Sequence, residues 1–404
     1  MADSILIVGA GQGGSQLAAS LRQLGHTGEI TLIGDEPGLP YQRPPLSKAY
    51  LKEGREDRLM LKPAAFYETE AIAVRTPHHV ASVDAAEQTA TLKDGETLAY
   101  DHLVLATGAR NRKLPIEGIE LDGVVELRTK ADADAIRARI GDVRKAVVIG
   151  GGFIGLEFAA VATAMGVDVT VLEAASRVMS RVCSPPTSDY FHDFHAGTGT
   201  KIVFGATATR ILGDDHVTGV ETADGSTLDC DLVLVAAGVQ PNVELAAEVG
   251  LDVDNGISVD AQLLTSNPAF SALGDCASFV HPLAGRRVRL ESVQNAIDQA
   301  KCIAARLTGN PHDYADLPWF WSDQGDRKLQ IAGLADKADD HVALPGEDGS
   351  LVVHCFENDR LVGVETVNAP AAHMMARKLL GSGTELSRSD LAAVEFNLRA
   401  LRGR

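Results

Sequence analysis

Residues 145–173, KAVVIGGGFIGLEFAAVATAMGVDVTVLE, decide the fold. A short apolar run ends in G-x-G-x-x-G at Gly150, Gly152 and Gly155, and an alanine-rich helical pattern follows. Glycines at this spacing permit a tight turn, close approach of the backbone to a pyrophosphate and close packing of the helix. Glu173, at the end of the next apolar run, could bind ribose hydroxyls and repel the 2′-phosphate of NADPH. The segment predicts a strand–turn–helix–strand unit that binds NADH.

The N-terminus, MADSILIVGAGQGGSQLAASL, carries the same unit. Its glycines are Gly9, Gly11 and Gly14, and Asp35 follows the apolar run ITLIG about twenty residues after the third glycine. A carboxylate at that place can accept hydrogen bonds from an adenosine ribose, and the adjacent Glu36 could substitute for it. One glycine motif is a weak signal, but two complete units predict two nucleotides, one bound permanently and one exchanging.

Composition limits the function. A chain of 404 residues suggests two or three domains, and a formal net charge of -18 argues against general binding to nucleic acid or anionic membranes. The five cysteines are scattered without a CxxC pair, which predicts neither a disulfide framework nor a metal site. Without an apolar run of about 20 residues or a signal-peptide pattern, we expect a cytoplasmic protein.

Short apolar runs alternate with longer amphipathic segments, which is typical of parallel sheets covered by helices. We expect strands at residues 5–8, 30–33, 103–106, 146–149, 169–172 and 232–236. From about residue 318 the pattern changes to KLQIAGL, SLVVHCF and RLVGVETV, strands of an antiparallel sheet, followed by a helix near residues 371–380. The predicted fold class is α/β, with two Rossmann-like dinucleotide-binding domains and a C-terminal α+β domain.

Several separated motifs extend this reading over the whole length: GAGQGG, LPYQRPPLSKAYL (39–51), LVLATGAR, LTSNPAFSALGDC, ESVQNAIDQA and PWFWSDQG (318–325). Together they resemble the FAD-dependent NADH:ferredoxin reductases of the putidaredoxin reductase and rubredoxin reductase type, which include reductase components of Rieske-type dioxygenases. The resemblance implies a glutathione-reductase-like chain with tightly bound FAD and exchanging NADH. The expected domains are a discontinuous FAD domain (1–113 and 246–317), an NADH domain (114–245) and a C-terminal domain (318–404).

The resemblance also implies which residues meet the cofactors. Asp35 would hold the adenosine ribose of FAD, Asp275 the ribityl chain, and Arg43 and Lys48 would lie by the pyrophosphate and the isoalloxazine. In isolation Asp275 could instead be a turn cap, and Lys48 a solvated surface lysine. Val293 would lie at the ring, where a helix beginning near Ser292 could stabilise charge on the reduced flavin. Further implied cofactor-binding positions are Val80, Thr107, Gly108, Arg128, Gly238 and Gly274.

Three residues are candidates for the catalytic site. Glu157 would pair with Lys48 beside the flavin N5, although a carboxylate that favours a helix N-terminus is an equal alternative. Trp321 would cover the flavin on the nicotinamide or partner side, whereas Trp319 and Trp321 could both simply be core. Hydride transfer needs two positioned rings and no acid, base or nucleophile.

The segment 39–51 contains no cysteine, which argues against disulfide reductase, peroxidase and water-forming oxidase chemistry. Cys276 is a packing residue in this interpretation. Electrons would leave singly to a small acidic [2Fe-2S] ferredoxin that serves a haem-thiolate monooxygenase or a Rieske dioxygenase. The basic groups that could dock it are Arg286, Arg287, Arg289, Lys301 and Arg306, any of which could equally be ordinary solvated surface.

Two other functions remain open at this point. An NADH oxidase producing hydrogen peroxide would consume oxygen rapidly without a ferredoxin. A signalling flavoprotein resembling apoptosis-inducing factor shares many of the motifs and would show slow flavin reduction with a long-lived charge-transfer complex. The compact length and the acidic charge argue against the second.

Overall fold

The computed structural model describes residues Asp3–Leu401. The chain divides into two compact units, each built from three stretches. The first contains residues 3–42, 56–110 and 240–318, and the second contains residues 43–55, 111–239 and 319–401. Within residues 3–401, no helix combines the length and the apolarity needed to cross a bilayer.

A parallel sheet of five strands forms the centre of the first unit. The strands lie in the order Phe270–Ala272, His102–Leu105, Ser4–Val8, Glu29–Ile33 and Ile72–Arg75. Because the strands are parallel, the residues that follow Val8, Ile33 and Leu105 meet at one edge of the sheet, where open α/β sheets bind ligands.

Helices and smaller sheets complete this unit. The helix Gln12–Gln23 follows the first strand and the helix Val293–Leu307 comes late in the chain. The remaining helices are Ala64–Thr69, Glu244–Glu248 and the 3-10 helices Glu56–Arg58 and Gly274–Cys276. One antiparallel sheet contains Val80–Asp84, Thr89–Leu92 and Thr97–Ala99, and a mixed sheet contains Ile257–Ser258, Ala277–His281 and Arg286–Val288.

A second parallel sheet is the centre of the second unit. Its strands lie in the order Lys201–Phe204, Asp168–Glu173, Lys145–Ile149, Leu232–Val235 and Val124–Val125. The helices of this part are Ala49–Glu53, Lys130–Arg139, Phe153–Ala164, Pro185–Thr198 and the 3-10 helix Pro44–Ser47. An antiparallel sheet contains Ala208–Gly213, Val217–Thr222 and Thr227–Asp229. Two short strands, Ala109–Asn111 and Val239–Pro241, lie where the chain changes unit.

The last stretch of the second unit is an antiparallel sheet. Its strands lie in the order Trp319–Gln324, Arg327–Gly333, Arg360–Val367, Leu351–Glu357 and Asp340–Pro345. The helices Pro370–Gly381 and Arg388–Ala392 and the 3-10 helix Leu398–Leu401 follow. Leu329 and Val353 of this sheet share one buried cluster with Leu156 and Phe191 of the preceding helices, which explains why the stretch belongs to the second unit.

The predicted fold class is confirmed: two Rossmann-like sheets and a C-terminal α+β part are present. The six strands expected from apolar runs form within one residue of their expected bounds. The helix expected near residues 371–380 is Pro370–Gly381. The division into three domains with boundaries at residues 113, 245 and 317 stays a prediction.

Candidate functional site

The first glycine turn follows Val8 and leads into the helix Gln12–Gln23. Gly9 has a left-handed φ of +118, and a Cβ atom there would lie 2.1 Å from the Ala106 carbonyl oxygen. A Cβ atom on Gly14 would lie 2.0 Å from the Gly9 oxygen, whereas a Cβ atom on Gly11 would meet nothing within 4 Å. No side chain caps this helix, so its first N–H groups are left without a side-chain partner. The turn therefore fits an anionic group such as a pyrophosphate.

Acidic residues follow the next strand. Asp35 is exposed beyond Glu29–Ile33, and no hydrogen bond from another residue of the described chain engages its carboxylate. Glu36 is partly buried and accepts a hydrogen bond from the Tyr41 hydroxyl. Of the two acids considered for the adenosine ribose, Asp35 is therefore the more accessible.

The residues expected at the ribityl chain form a tight turn. Gly274, with φ of +75, and the partly buried Asp275 belong to the 3-10 helix Gly274–Cys276. The helix Val293–Leu307 begins as predicted after Ser292, whose Oγ accepts the Asn295 N–H at 3.1 Å. Val80 is buried, at 4% exposure, in the first unit.

Thr107 and Gly108 form the exit of the first sheet. The Thr107 hydroxyl donates to the Asn242 carbonyl oxygen, and the Asn242 amide donates back to the Thr107 oxygen, both at 2.8 Å. The Asn242 N–H also donates to the Gly108 oxygen at 2.9 Å. The sequence analysis assigned no role to Asn242 and so missed that this residue holds the Thr107 turn.

The second glycine turn repeats the first in the second unit. A Cβ atom on Gly150, whose φ is +114, would lie 2.4 Å from the Ala236 oxygen, and one on Gly155 would lie 2.2 Å from the Gly150 oxygen. Gly152 again faces open space and precedes the uncapped helix Phe153–Ala164. Gly238, with φ of +89, follows the neighbouring strand end. This turn has the same capacity for a pyrophosphate.

Glu173 ends the strand beside this turn. Its Oε2 accepts the Gly151 N–H at 2.7 Å and its Oε1 accepts the Ala175 N–H at 2.8 Å. The nearby Arg177 donates to the Cys183 oxygen, the Ser180 oxygen and the Ser188 hydroxyl. The carboxylate thus fixes the glycine turn, and the cation nearest to it in sequence is engaged by the protein itself.

A buried ion pair joins the segment 43–55 to the helix Phe153–Ala164. Lys48 Nζ lies 2.6 Å from Oε2 of Glu157 and also donates to the Pro44 oxygen at 3.0 Å. Glu157, only 2% exposed, accepts further hydrogen bonds from Ser47 Oγ at 2.5 Å and Ser322 Oγ at 2.6 Å. Lys48 and Glu157 are paired as expected, whereas the place of this pair beside the flavin N5 stays a prediction. The two serines were missed because nothing in their local sequence marks them.

The bond network continues inward from Ser322. Gln324 Nε2 donates to the Ser322 hydroxyl at 3.3 Å, and its Oε1 lies 2.8 Å from His195 Nε2. Gln324 and His195 are both fully buried. Glu157 is therefore held by a polar chain that reaches the strand Trp319–Gln324 and the helix Pro185–Thr198.

The remaining expected residues of the second unit are distributed as follows. Arg43 Nη1 donates to the Arg128 carbonyl oxygen at 2.7 Å. Trp321 is partly buried, with its ring 5.6 Å from that of Trp319, over which the Arg377 guanidinium lies at 4.3 Å. The two tryptophans therefore belong to an aromatic and cationic cluster.

The cysteines are all free and buried. Burial raises the pKa of each thiol, to about 12 for Cys230 and to about 11 for Cys302. Cys276 is fully buried, and its Sγ donates to the Leu105 and Leu273 oxygens. Since the thiolate is the reactive form, none of these groups is suited to redox exchange.

The expected docking cations differ in accessibility. Lys301 is 56% exposed and pairs with Asp298 at 3.1 Å, and Arg286 and Arg287 are partly buried. Arg289 is only 10% exposed and pairs with Glu291. Arg306 donates to the Gln262 oxygen and the Ser271 hydroxyl. The expectation that Arg289 and Arg306 belong to an open basic surface is not met, because their donors are used inside the first unit.

The two glycine turns, at residues 9–14 and 150–155, are called the first and second cradle below. Each is followed by an uncapped helix and by an acidic residue after the next strand, and together they define an oxidoreductase that binds two dinucleotides. The family model described as pyridine nucleotide-disulphide oxidoreductase matches residues 3–300, and that described as reductase C-terminal matches residues 319–402. The chain belongs to this family and, within it, to the FAD-dependent NADH:ferredoxin reductases. It is a flavoprotein enzyme of the ferredoxin–NAD(+) reductase type that uses FAD and NADH.

Individual relatives cover nearly the whole chain. Rhodocoxin reductase of Rhodococcus erythropolis is 47% identical over 399 residues, which is 98% of this chain and 93% of the relative. Putidaredoxin reductase of Pseudomonas putida is 40% identical over 392 residues, 94% of this chain and 92% of the relative. The crystal structure of a ferredoxin reductase for the CYP199A2 system from Rhodopseudomonas palustris matches with a TM-score of 0.95 and 49% identity, covering 99% of both chains.

Proposed function

We propose that this reductase passes single electrons to an acidic [2Fe-2S] ferredoxin in the cytoplasm, and that the ferredoxin serves a haem-thiolate monooxygenase or a Rieske dioxygenase. The observation that carries the proposal is the burial of all five cysteines, which leaves no thiol to take electrons onward. Related systems support the terminal acceptor, since one solved relative serves a CYP199A2 system and another is covalently joined to putidaredoxin.

FAD fits the first cradle, where the open space at Gly11 adjoins free helical N–H groups. When bound, FAD accepts a hydride from NADH and gives up two electrons one at a time. Asp35 would bind the adenosine ribose and Asp275 the ribityl hydroxyls. Val293, at the start of the helix Val293–Leu307, would bring the positive end of that helix to the ring. The balance is one NADH and two oxidised ferredoxins giving NAD(+), two reduced ferredoxins and one proton.

NADH is the expected reductant at the second cradle. Each Glu173 oxygen accepts one backbone N–H and keeps further acceptor capacity for a ribose hydroxyl. Arg177, the cation nearest to Glu173 in sequence, donates to Cys183, Ser180 and Ser188, so these donors are not available to a 2′-phosphate beside the carboxylate. These contacts support a strong preference for NADH over NADPH.

Lys48 would present a fixed cation to the bound flavin. Two of its three N–H donors are used by Glu157 and Pro44, so the third remains for a ligand acceptor. Its pairing with Glu157 restrains the position of the ammonium group, which keeps its positive charge. Positioning of this kind is what hydride transfer between two rings requires.

Ferredoxin docking would use Lys301 foremost among the basic groups. Its side chain is 56% exposed, whereas Arg289 and Arg306 are held inside the first unit. An exposed cation on a chain of net charge -18 would attract an acidic carrier locally and raise the association rate at low salt.

The test is NADH-driven cytochrome c reduction by the FAD-loaded protein with and without a [2Fe-2S] ferredoxin, repeated with NADPH. We expect strong dependence on ferredoxin and on NADH. Lys301→Glu should raise the KM for ferredoxin several-fold at low salt, while the exposed Lys93→Glu, the same charge change elsewhere in the first unit, should not. Rapid oxygen uptake without any ferredoxin stimulation would favour the peroxide-forming oxidase instead.

A further inference from the structure

The turn at Gly274 and Asp275 is held from two sides by side chains outside it. The Gly274 N–H donates to Gln299 Oε1 at 2.7 Å, and the Asp275 carbonyl oxygen accepts from Arg289 Nη1 at 3.1 Å. We propose that Gln299 and Arg289 are positioning residues that hold this turn in the shape that binds FAD. The inference rests on the proposed contact of Asp275 with the ribityl chain.

Gln299 is placed where an apolar side chain would be expected. It is fully buried on the helix Val293–Leu307, between Ala296 and Ala300 on its buried face. Its Nε2 atom has no hydrogen-bond partner among residues 3–401, so the bond to Gly274 is the polar contact that accounts for it. Burying an amide that makes only one hydrogen bond costs free energy relative to burying leucine. The cost is offset where that bond satisfies a buried donor.

The donor in this case is the N–H of Gly274, which is itself buried and has a left-handed φ of +75. Its N–H donates to Gln299 of the helix Val293–Leu307. Without the Gln299 oxygen this donor would be buried and unpaired, and the turn would relax toward another conformation. The conformation of Gly274 sets the direction of the adjacent Asp275.

Arg289 fixes the other end of the turn. The side chain is 10% exposed, and its Nη2 lies 2.7 Å from Oε1 of Glu291 while its Nη1 reaches the Asp275 oxygen. An ion pair thus orients the guanidinium toward the turn. This contact explains why Arg289 is enclosed although it lies in the basic run GRRVR.

Gln299 lies on an element that continues to the expected flavin site. Gln299 lies in the same helix as Val293, which is the residue predicted at the ring. A rigid helix therefore couples the direction of the Asp275 carboxylate to the position of Val293. FAD affinity, rather than NADH affinity, is the property that this arrangement should control.

The experiment measures the dissociation constant of FAD on the full-length apoprotein by quenching of flavin fluorescence. Gln299→Leu should weaken FAD binding by about tenfold or more, the loss expected for one buried hydrogen bond with an orphaned donor. Arg289→Met should weaken it several-fold, and Gln299→Glu, which keeps an acceptor oxygen, should retain more affinity than Gln299→Leu. Melting temperatures with and without FAD separate affinity from stability.

Tyr314→Phe is the matched control, because it removes one buried hydrogen bond of the first unit, from the Tyr314 hydroxyl to Asn295, without touching the turn. It should lower the melting temperature but keep the FAD dissociation constant. Wild-type FAD affinity in folded Gln299→Leu or, should that variant not fold, in Arg289→Met would overturn the inference. If the wild type itself bound no FAD, the proposed function would fail instead.

Discussion

Lys48 and Glu157 are separated by 109 positions in sequence, yet their charged atoms lie 2.6 Å apart. The carboxylate is 2% exposed and accepts three hydrogen bonds in all, from Lys48, Ser47 and Ser322. A buried charge of this kind is tolerated only when its oxygens are satisfied. The side chain of Glu157 therefore links its helix, Phe153–Ala164, to the segment 43–55 and to the strand Trp319–Gln324.

Glu157→Gln removes the charge that balances Lys48. We expect a loss of about 3 kcal/mol in the free energy of unfolding, because breaking one partner of a buried pair leaves the other charge uncompensated. The rate at which NADH reduces the bound flavin should also fall, if Lys48 faces the flavin as proposed. Chemical denaturation and stopped-flow absorbance measure the two effects.

Glu96→Gln provides the control for this prediction. Glu96 pairs with Arg75 at the surface, where water and salt screen the interaction, so its loss should hardly change the denaturation midpoint. An equally small effect in Glu157→Gln would mean that the buried pair contributes nothing to stability.

The middle glycines of the two cradles allow the two nucleotides to be tested separately. Gly11 and Gly152 have φ values of -84 and -82 and face open space, so alanine fits the backbone at both positions. The added methyl group would occupy the space assigned to a pyrophosphate. We expect Gly11→Ala to lose bound FAD and Gly152→Ala to keep FAD but raise the KM for NADH about tenfold or more.

Gly14→Ala serves as the contrast, because its Cβ atom would collide with the Gly9 oxygen at 2.0 Å and the protein should not fold normally. Flavin absorbance, steady-state kinetics and circular dichroism distinguish the three outcomes. If Gly11→Ala retained FAD with unchanged affinity, the pyrophosphate would not occupy the space beside Gly11.

Glu173→Gln tests the choice between NADH and NADPH. The neutral amide keeps one acceptor oxygen, so it loses one of the two bonds from the Gly151 and Ala175 N–H groups, and it no longer repels a 2′-phosphate. We therefore expect kcat/KM for NADH to fall several-fold and the NADH to NADPH ratio to fall by about tenfold. Asp168→Asn, an exposed acid at the start of the same strand, should leave the ratio unchanged. An unaltered ratio in Glu173→Gln would assign the preference to other residues.

Acid stability should depend on His354, which is fully buried in the strand Leu351–Glu357. Burial lowers the pKa of His354 to about 4, below its ordinary value of 6.5. Because the unfolded chain then takes up the proton first, the folded state should lose stability as the pH falls from 6.5 toward 4, by about 3 kcal/mol from this residue. His354→Leu should reduce the slope of that part of a plot of unfolding free energy against pH, whereas the exposed His79→Leu should not. Part of the slope should remain, because burial also lowers the pKa values of His102 and His373 to about 4.

Glu365 should have the opposite pH dependence. It is fully buried, and burial raises the pKa of its carboxyl group even though Ser184 donates two hydrogen bonds to it, from its N–H at 2.8 Å and its Oγ at 2.6 Å. A raised pKa in the folded state means that ionisation destabilises the fold as the pH rises. Glu365→Gln should therefore raise the melting temperature at pH 8 relative to wild type and bring little change at pH 5.

Sequence patterns were sufficient for features that depend on neighbouring residues. The strands Ser4–Val8 and Lys145–Ile149 and their glycine turns are local, and their short apolar runs and spacing identified them. The approach of Lys48 to Glu157 required knowledge of a family, because no local pattern connects positions so far apart.

Other contacts could not have been found from sequence. Ser322 and Gln299 reach partners 165 and 25 residues away, and a serine or glutamine in a regular strand or helix carries no sign of its partner. Arg289 was misplaced for a similar reason, since charge alone does not reveal that an ion pair and a carbonyl oxygen enclose it.

The order of strands in the two parallel sheets has a consequence for synthesis on the ribosome. The first sheet begins with Ser4–Val8, but its edge strand Phe270–Ala272 pairs with His102–Leu105 only after residues 124–235, which contain every strand of the second parallel sheet, have been made. The second parallel sheet, whose strands start later in the sequence, can therefore be completed first. Until Phe270–Ala272 is synthesised, the strand His102–Leu105 has one edge without a partner. An unpaired strand edge exposes a nascent chain to aggregation.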